Sequence, residues 1–353
     1  MKVYWIWLSI LPHVGPVFQK RLIKYFRSPL SVYKAAREEL EAVKGLNKRV
    51  ISSVLNNRSL KDAETIAEKA IKQGIGLLSF DDPLYPTSAK ICPESPVLLF
   101  YKGHLRPFEH SIAVVGSRRC TAYGRKVAEE IGKQLAGLHI PVVSGLAKGI
   151  DSYAHASCVQ HGGTAIAFLA GGVDVCYPKE HFRLYHEILE ADGAILSQYP
   201  PGTLPKPPFF LRRNALISAW STELVVVEAG MRSGALWTEK FAVGQGKKIY
   251  AVPSYIHVPE GVGTNQLLAQ GVEPYLGINS LEAIRDLKME CEPPKEHEQY
   301  NQILSTLSES SNPHTISSLS ELLKINEQLL MNELFDLELN GRIIIRGNVV
   351  KKV

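Results

Sequence analysis

From residue 111 to about 280 the chain alternates short, almost continuously apolar runs with longer amphipathic ones, the pattern of successive βαβ units. "SIAVVGS", "IPVVSG", "GTAIAFLAGG", "GAILSQYP", "ELVVVEAG" and "KKIYAVPS" read as strands. Between them "TAYGRKVAEEIGKQLAGL", "DSYAHASCVQHG", "KEHFRLYHEILEAD", "RRNALISAWS" and "ALWTEKFAVGQG" read as helices, and "TNQLLAQG" closes the segment. Strands that are apolar on both faces predict a mainly parallel sheet covered by helices on each side. The expected architecture is α/β: an extended Rossmann-like, doubly wound domain over 75–280. "VLLFYKG" (97–103), which follows the proline-rich connector "SFDDPLYPTSAKICPESP", reads as a strand at the edge of that domain.

The flanks follow other patterns. Residues 1–72 contain one motif twice: a turn at Val14-Gly15-Pro16 before Leu22, Ile23 and Phe26, and a turn at Lys44-Gly45-Leu46 before Val50, Ile51, Val54 and Leu55. Short helices joined by glycine turns resemble a SAM-like or paired helix-hairpin-helix domain. Such turns suit DNA phosphates or, equally, a helical protein–protein module in which glycine serves the backbone alone. A polar linker, 281–296, precedes a third piece over 297–353. There "YNQILSTLS", "HTISSLSELLKI" and "NEQLLMNELFDLELNG" read as helices, and "RIIIRGNVVKKV" alternates about Gly347-Asn348 as a hairpin does. Three helices and a hairpin predict a winged helix.

Charge refines this picture. The net charge of +5 over 353 residues is unevenly spread. Residues 1–72 carry 14 Lys/Arg against 6 Asp/Glu, and residues 111–260 carry 15 against 12. Residues 297–353 carry 5 against 7, and the helix that would enter a major groove holds Glu327, Glu333, Asp336 and Glu338 with no Lys or Arg. A protein-contact role suits that helix better than DNA. The five cysteines include no C-x-x-C pair, which argues against a disulfide framework or a structural zinc and for a reducing, cytoplasmic setting. No run reaches the ~18 apolar residues of a membrane span. "MKVYWIWLSILPHVGP" lacks a small-residue cleavage site and reads as a buried first helix rather than a signal peptide.

In a parallel sheet the loops after the strands gather on one edge, where such folds bind their ligands. Those loops hold Gly116-Ser117-Arg118-Arg119, Ser144 to Asp151 with Lys148, Gly171 to Asp174 followed by Lys179, Arg212-Arg213-Asn214, and Glu228 to Gly234 with Arg232. Seven converging basic residues point to a polyanion. A dinucleotide fits poorly: the G-x-G-x-x-G spacing is missing after Gly116, and no acidic residue closes the second strand. No Walker sequence occurs, and Asp151/His155 and Cys158/His161 lack the further ligands of a metal site, so no cofactor or metal is expected. A mononucleotide enzyme and a strand-binding protein remain. Among nearby aromatics, Trp220 and Trp237 read as core, whereas Phe209 and Phe210, in a loop stiffened by Pro207-Pro208, are candidates to stack on bases.

"VVGSRRCTAYG", "SGLAKGIDSYAH", "LAGGVDVCYP", "ILSQYPPG", "RRNALIS", "VVEAGMRSGALWTEKFA" and "GVGTNQLLAQG" follow one another as in the DprA/Smf family, which the chain resembles over about 75–278. The resemblance implies a non-enzymatic, homodimeric single-stranded DNA-binding protein that loads the RecA recombinase during natural transformation. Its functional positions fall on Gly116, Ser117, Arg118, Lys148, Asp151, Arg213 and Asn214. Three departures stand out: Ser197-Gln198 for Ser-Glu, Arg213-Asn214-Ala215 for Arg-Asn-Arg with Arg212 added before it, and Val252-Pro253-Ser254 for Val-Pro-Gly. "GTNQLLAQGVEPY" is the candidate dimer surface. The rival enzyme is a nucleoside-monophosphate phosphoribohydrolase, with Thr238 and Glu239 at a helix start and Glu239 stabilising an oxocarbenium-like ribosyl cation. A further alternative is an adaptor whose end domains bind proteins.

Overall fold

Each apolar run between 111 and 254 forms a strand, and each strand buries both faces. In Ala165–Phe168, Ala165 and Ala167 join one apolar cluster, while Ile166 and Phe168 join a second on the opposite face. This two-residue alternation lets a run with no polar position serve as a central strand. A computed structural model describes residues 2–291, 302–308 and 313–352, which divide into two units, Met1–Ile284 and Arg285–Val353.

In the first unit the strands are β1 (Gly76–Ser79), β2 (Leu98–Gly103), β3 (Ile112–Gly116), β4 (Val142–Ser144), β5 (Ala165–Phe168), β6 (Ala194–Ser197), β7 (Glu223–Glu228), β8 (Lys248–Ala251) and β9 (Glu273–Pro274). They form one nine-stranded sheet in the order β1-β2-β6-β5-β4-β3-β7-β8-β9. From β6 across to β9 all pairings are parallel, and β1 and β2 are antiparallel additions. The chain steps outward from β3 to β6, then returns to lay β7 on the other side of β3. The strand order therefore reverses between β3 and β7, which opens a crevice at their carboxyl ends.

The "VLLFYKG" strand is not at the edge. β2 lies between β6 and β1, and β1 is the edge strand. β1 is only four residues long, and nothing in "GLLS" separates it from a loop by periodicity. The first 72 residues are helical, as expected, but packing does not break after them. Trp5, Ile6, Trp7 and Leu8 of the first helix share a core with Leu98, Phe100, Ala165 and Ala167 of the sheet. The two repeats face each other: Arg49 Nη2 lies 3.3 Å from His13 Nε2, and Arg21 donates to the Gly45 carbonyl. Their glycines differ. Gly15 is extended, with φ −76°, whereas Gly45 has φ +83° and needs glycine's freedom.

Of the linker expected at 281–296, Glu282–Cys291 forms a helix, and the rest lies outside the described residues. Buried Glu223, at the start of β7, accepts hydrogen bonds from the amides of Glu282 and Ala283 at 2.9 and 2.8 Å and so satisfies that helix start. In the second unit residues 302–308 and the helices Ile316–Leu323 and Glu327–Leu339 bury Leu319, Leu330, Leu334 and Leu337. The hairpin of β11 (Ile343–Arg346) and β12 (Val349–Lys352) has a third strand, β10 (His314–Thr315), paired to β12. No helix among the described residues is long and apolar enough to cross a membrane.

Candidate nucleic-acid interface

The turn after β3 is where a dinucleotide fold would hold its pyrophosphate, on the first amides of the next helix. Here the helix Ala122–Gly137 starts on an internal anion. Glu228, fully buried at the end of β7, accepts from the Thr121 amide at 2.9 Å, and the Thr121 hydroxyl donates to its other oxygen. Thr121 Oγ1 then accepts from the Gly124 amide at 3.1 Å. Gly124 leaves no room for change, because a Cβ there would come within 2.3 Å of the Glu228 carboxyl carbon. We expect Gly124→Ala to cost about 1–3 kcal/mol of stability in urea unfolding; an unchanged midpoint would show that Glu228 can give way. Arg118 and Arg119 stand at the surface on the loop, the Arg119 amide donating to Ser117 Oγ at 3.1 Å.

The loop after β4 is organised around a buried pair. Asp151 accepts from the amides of Gly145 and Ala147 at 3.1 and 3.4 Å. Arg213 donates to the carbonyls of Gly145 and Phe168, the latter at 3.0 Å, and is only 4% exposed. Burial pushes the Asp151 carboxyl above its usual range, opposed by Arg213 and the two amides, and brings the guanidinium of Arg213 down to about 10. Arg213, expected among the phosphate-binding cations, gives Nη1 to these two carbonyls and Nε to Asn214 Oδ1 at 3.0 Å. Arg212, its neighbour, is exposed.

At the crevice between β3 and β7 lies a cleft of about 950 Å³. Gly116, Ser117, Arg118, Arg119, Phe210, Arg213, Asn214 and Arg232 line it, together with Leu211, Met231 and Trp237. A smaller cavity lined by Lys148, Tyr177 and Gly145 shares Arg118, Ala147, Phe210 and Arg213 with the cleft, so these four stand between the two. Lys148 is exposed and pairs with Glu180. Lys179, Phe209 and Arg212 line neither cavity.

Phe209 and Phe210 are in the first turn of the helix Pro207–Ala219, not in a loop; both prolines sit where a helix tolerates them. Phe209 stacks on Tyr199 with centroids 4.0 Å apart, so one of its faces is taken. Phe210 meets Tyr177 edge-on at 5.6 Å and carries the Arg118 guanidinium 5.3 Å from its centroid. Trp220 is core, at 1% exposure among Tyr85, Phe108 and Phe168, but Trp237 is 51% exposed. Glu239 is buried, its carboxyl pushed up by desolvation, and it does not line the cleft. A ribosyl-cation role would require it to do so.

Residues 76–285, which contain the whole sheet, match the family model of DNA recombination-mediator protein A. The chain belongs to the DprA/Smf family. It is 33% identical to Protein Smf of Synechocystis over 285 residues, spanning 79% of this chain and 71% of that one. It superposes on DNA processing protein A of Streptococcus pneumoniae with a TM-score of 0.68 at 30% identity, covering 80% of this chain and 96% of the other. The Helicobacter pylori protein, solved in a study of its single-stranded DNA binding mode, gives a TM-score of 0.53 at 25% identity, over 61% and 96% of the two chains.

Within this DprA/Smf chain, the residues that sequence reading passed over are those whose role depends on a partner far away in the chain. Glu228 was visible only as the end of an apolar run, 107 residues from the Thr121 it binds. Trp237, Leu211 and Met231 carry no charge or spacing that marks them out from core side chains.

Proposed function

We propose that this DprA/Smf protein binds single-stranded DNA along the carboxyl edge of its parallel sheet and performs no chemistry on it. The phosphates run over Arg118, Arg119, Lys148, Lys179, Arg212 and Arg232, with Gly116, Ser117 and Asn214 shaping the loops and Arg213 holding them. The observation that carries this reading is the cleft at the β3–β7 crevice, whose exposed cations stand on loops, with Glu228 already holding the Thr121 amide at the adjacent helix start. The strand so held would be delivered to the RecA recombinase during natural transformation, in the cytoplasm. A homodimer through 263–275 is the acting form.

Fluorescence anisotropy with a labelled strand of about 20 nucleotides, at two salt concentrations, tests this. We expect tight, salt-sensitive binding that duplex displaces poorly and AMP not at all. Displacement by AMP, or release of free adenine from it, would turn the reading toward a mononucleotide enzyme. Arg118→Ala should weaken strand binding by ~1–3 kcal/mol and lower the salt slope by about 0.7, the share of one phosphate. An unchanged affinity would remove the β3 loop from the DNA path.

A further inference from the structure

The first 72 residues carry the largest positive excess of the chain, and the sheet edge does not use it. Residues 1–37 hold seven Lys/Arg and residues 42–61 hold five, with no Asp or Glu in either stretch. All six acidic residues of 1–72 fall within 38–41 and 62–68. The acid-free stretches contain the two repeats, and the fold brings their turns together. His13 of the first turn meets Arg49 of the second helix, and Gly45 of the second turn meets Arg21 of the first. Around these contacts His13, Lys24, Lys44, Lys48 and Arg49 are exposed. Among the described residues, none of Lys24, Lys44, Lys48 and Arg49 pairs with a carboxylate. Like charges gathered on one face repel each other, and a polyanion relieves that repulsion. Buried polar side chains hold the face in place. Gln19, 3% exposed, donates to the carbonyls of Leu8 and Val14 at 3.1 and 2.8 Å, and Ser53 of the helix Lys48–Asn56 donates to the Pro12 carbonyl. The first turn is thus fixed both from its own helix and from the helix of the other repeat.

Gly15 adds a second observation. Its φ of −76° suits any residue, and a Cβ there would meet nothing within 4 Å. Neither backbone conformation nor packing asks for glycine at this position. A bare, exposed backbone before the helix Pro16–Phe26, whose start no side chain caps, is what the close approach of an anion requires. We propose that this face of the N-terminal helices binds the two sugar–phosphate backbones of duplex DNA, one at each turn. Two cationic turns locked at a fixed separation match two backbones held at a fixed separation, whereas a single strand offers one. Neither turn, 12–16 or 44–49, contains a Phe, Tyr or Trp on which unpaired bases stack, whereas at the sheet edge Arg118 lies over Phe210. Contacts confined to phosphate hold the duplex without regard to its sequence. The inference goes beyond the strand-binding reading and does not rest on it.

Anisotropy of the full-length protein with a labelled duplex of about 20 base pairs, over a series of salt concentrations, tests the site. We expect salt-sensitive binding that an excess of unlabelled single strand does not displace. Lys44→Ala combined with Lys48→Ala should weaken duplex binding roughly 10- to 60-fold in about 0.1 M salt and lower the salt slope by about 1.8, two phosphates at about 0.9 each. The affinity of the same variant for a single strand should not change. Lys44→Arg with Lys48→Arg keeps both charges and should bind duplex as the wild type does, which separates a lost contact from a lost fold. Gly15→Leu should leave Tm unchanged and weaken the duplex several-fold, because the added side chain stands in the approach. A wild-type protein that binds no duplex overturns the proposal and leaves strand binding at the sheet edge untouched. Duplex binding that Arg118→Ala abolishes and the lysine pair leaves intact overturns it as well, by placing the duplex on the sheet edge. Displacement of the duplex by polyglutamate as readily as by unlabelled duplex would overturn it in favour of an acidic protein partner.

Discussion

Arg213→Ala is expected to cost about 3–5 kcal/mol of stability, because it strips a donor from two buried carbonyls and leaves Asp151 without its balancing charge. The carbonyls are those of Gly145 and Phe168, on the loop after β4 and the end of β5. In thermal unfolding this should lower Tm by roughly 10 °C. Arg213→Lys should rescue part of the loss, since one nitrogen, Nη1, serves both carbonyls as an ammonium can, but the bond from Nε to Asn214 Oδ1 is lost. Adding Asp151→Asn to Arg213→Ala should recover part of the loss by removing the stranded carboxylate. A purely phosphate-binding Arg213 predicts the reverse: normal unfolding, weaker strand affinity and a smaller salt slope. Measuring unfolding and binding on the same variant decides between the two.

Acid should destabilise the protein through His155. This residue is fully buried, and burial, helped by Arg213 and His181, holds its imidazole down to about 3. In the unfolded chain it titrates near 6.5, so between these values the unfolded state binds the extra proton. Stability is therefore complete above pH 6.5 and falls as pH drops through the window, by up to about 1.4 kcal/mol per pH unit from this group alone. Urea unfolding from pH 7 to 4 should show that slope, and His155→Leu should flatten it. An equal slope in the variant would place the acid sensitivity elsewhere.

Much of this was legible in the sequence. Apolar runs marked the central strands because a strand covered on both faces has no polar position to break the run. The order of the glycine and arginine loops pointed to a sheet edge built for a polyanion, and seven motifs in sequence pointed to the family. β1 and β9 were not legible: β9 has only two residues, and "GLLS" runs directly into the proline-rich connector.

Sequence by itself determined which residue types stand at the strand ends: the cations of the β3, β4 and β7 loops and the glycines that let the loops close. Tertiary structure alone decided which of them face outward. Arg212 and Arg213 are neighbours with the same chemistry, yet one is exposed and the other is buried against the β4 loop at the cleft wall. A helix turns by about 100° between adjacent residues, and which side of Pro207–Ala219 meets β5 is set by packing, not by local pattern. The same holds for Trp237, read as core from its setting but turned into the cleft. Glu228 is the clearest case: a carboxylate ending an apolar strand becomes the anion of a helix start only because β7 returns to lie beside β3.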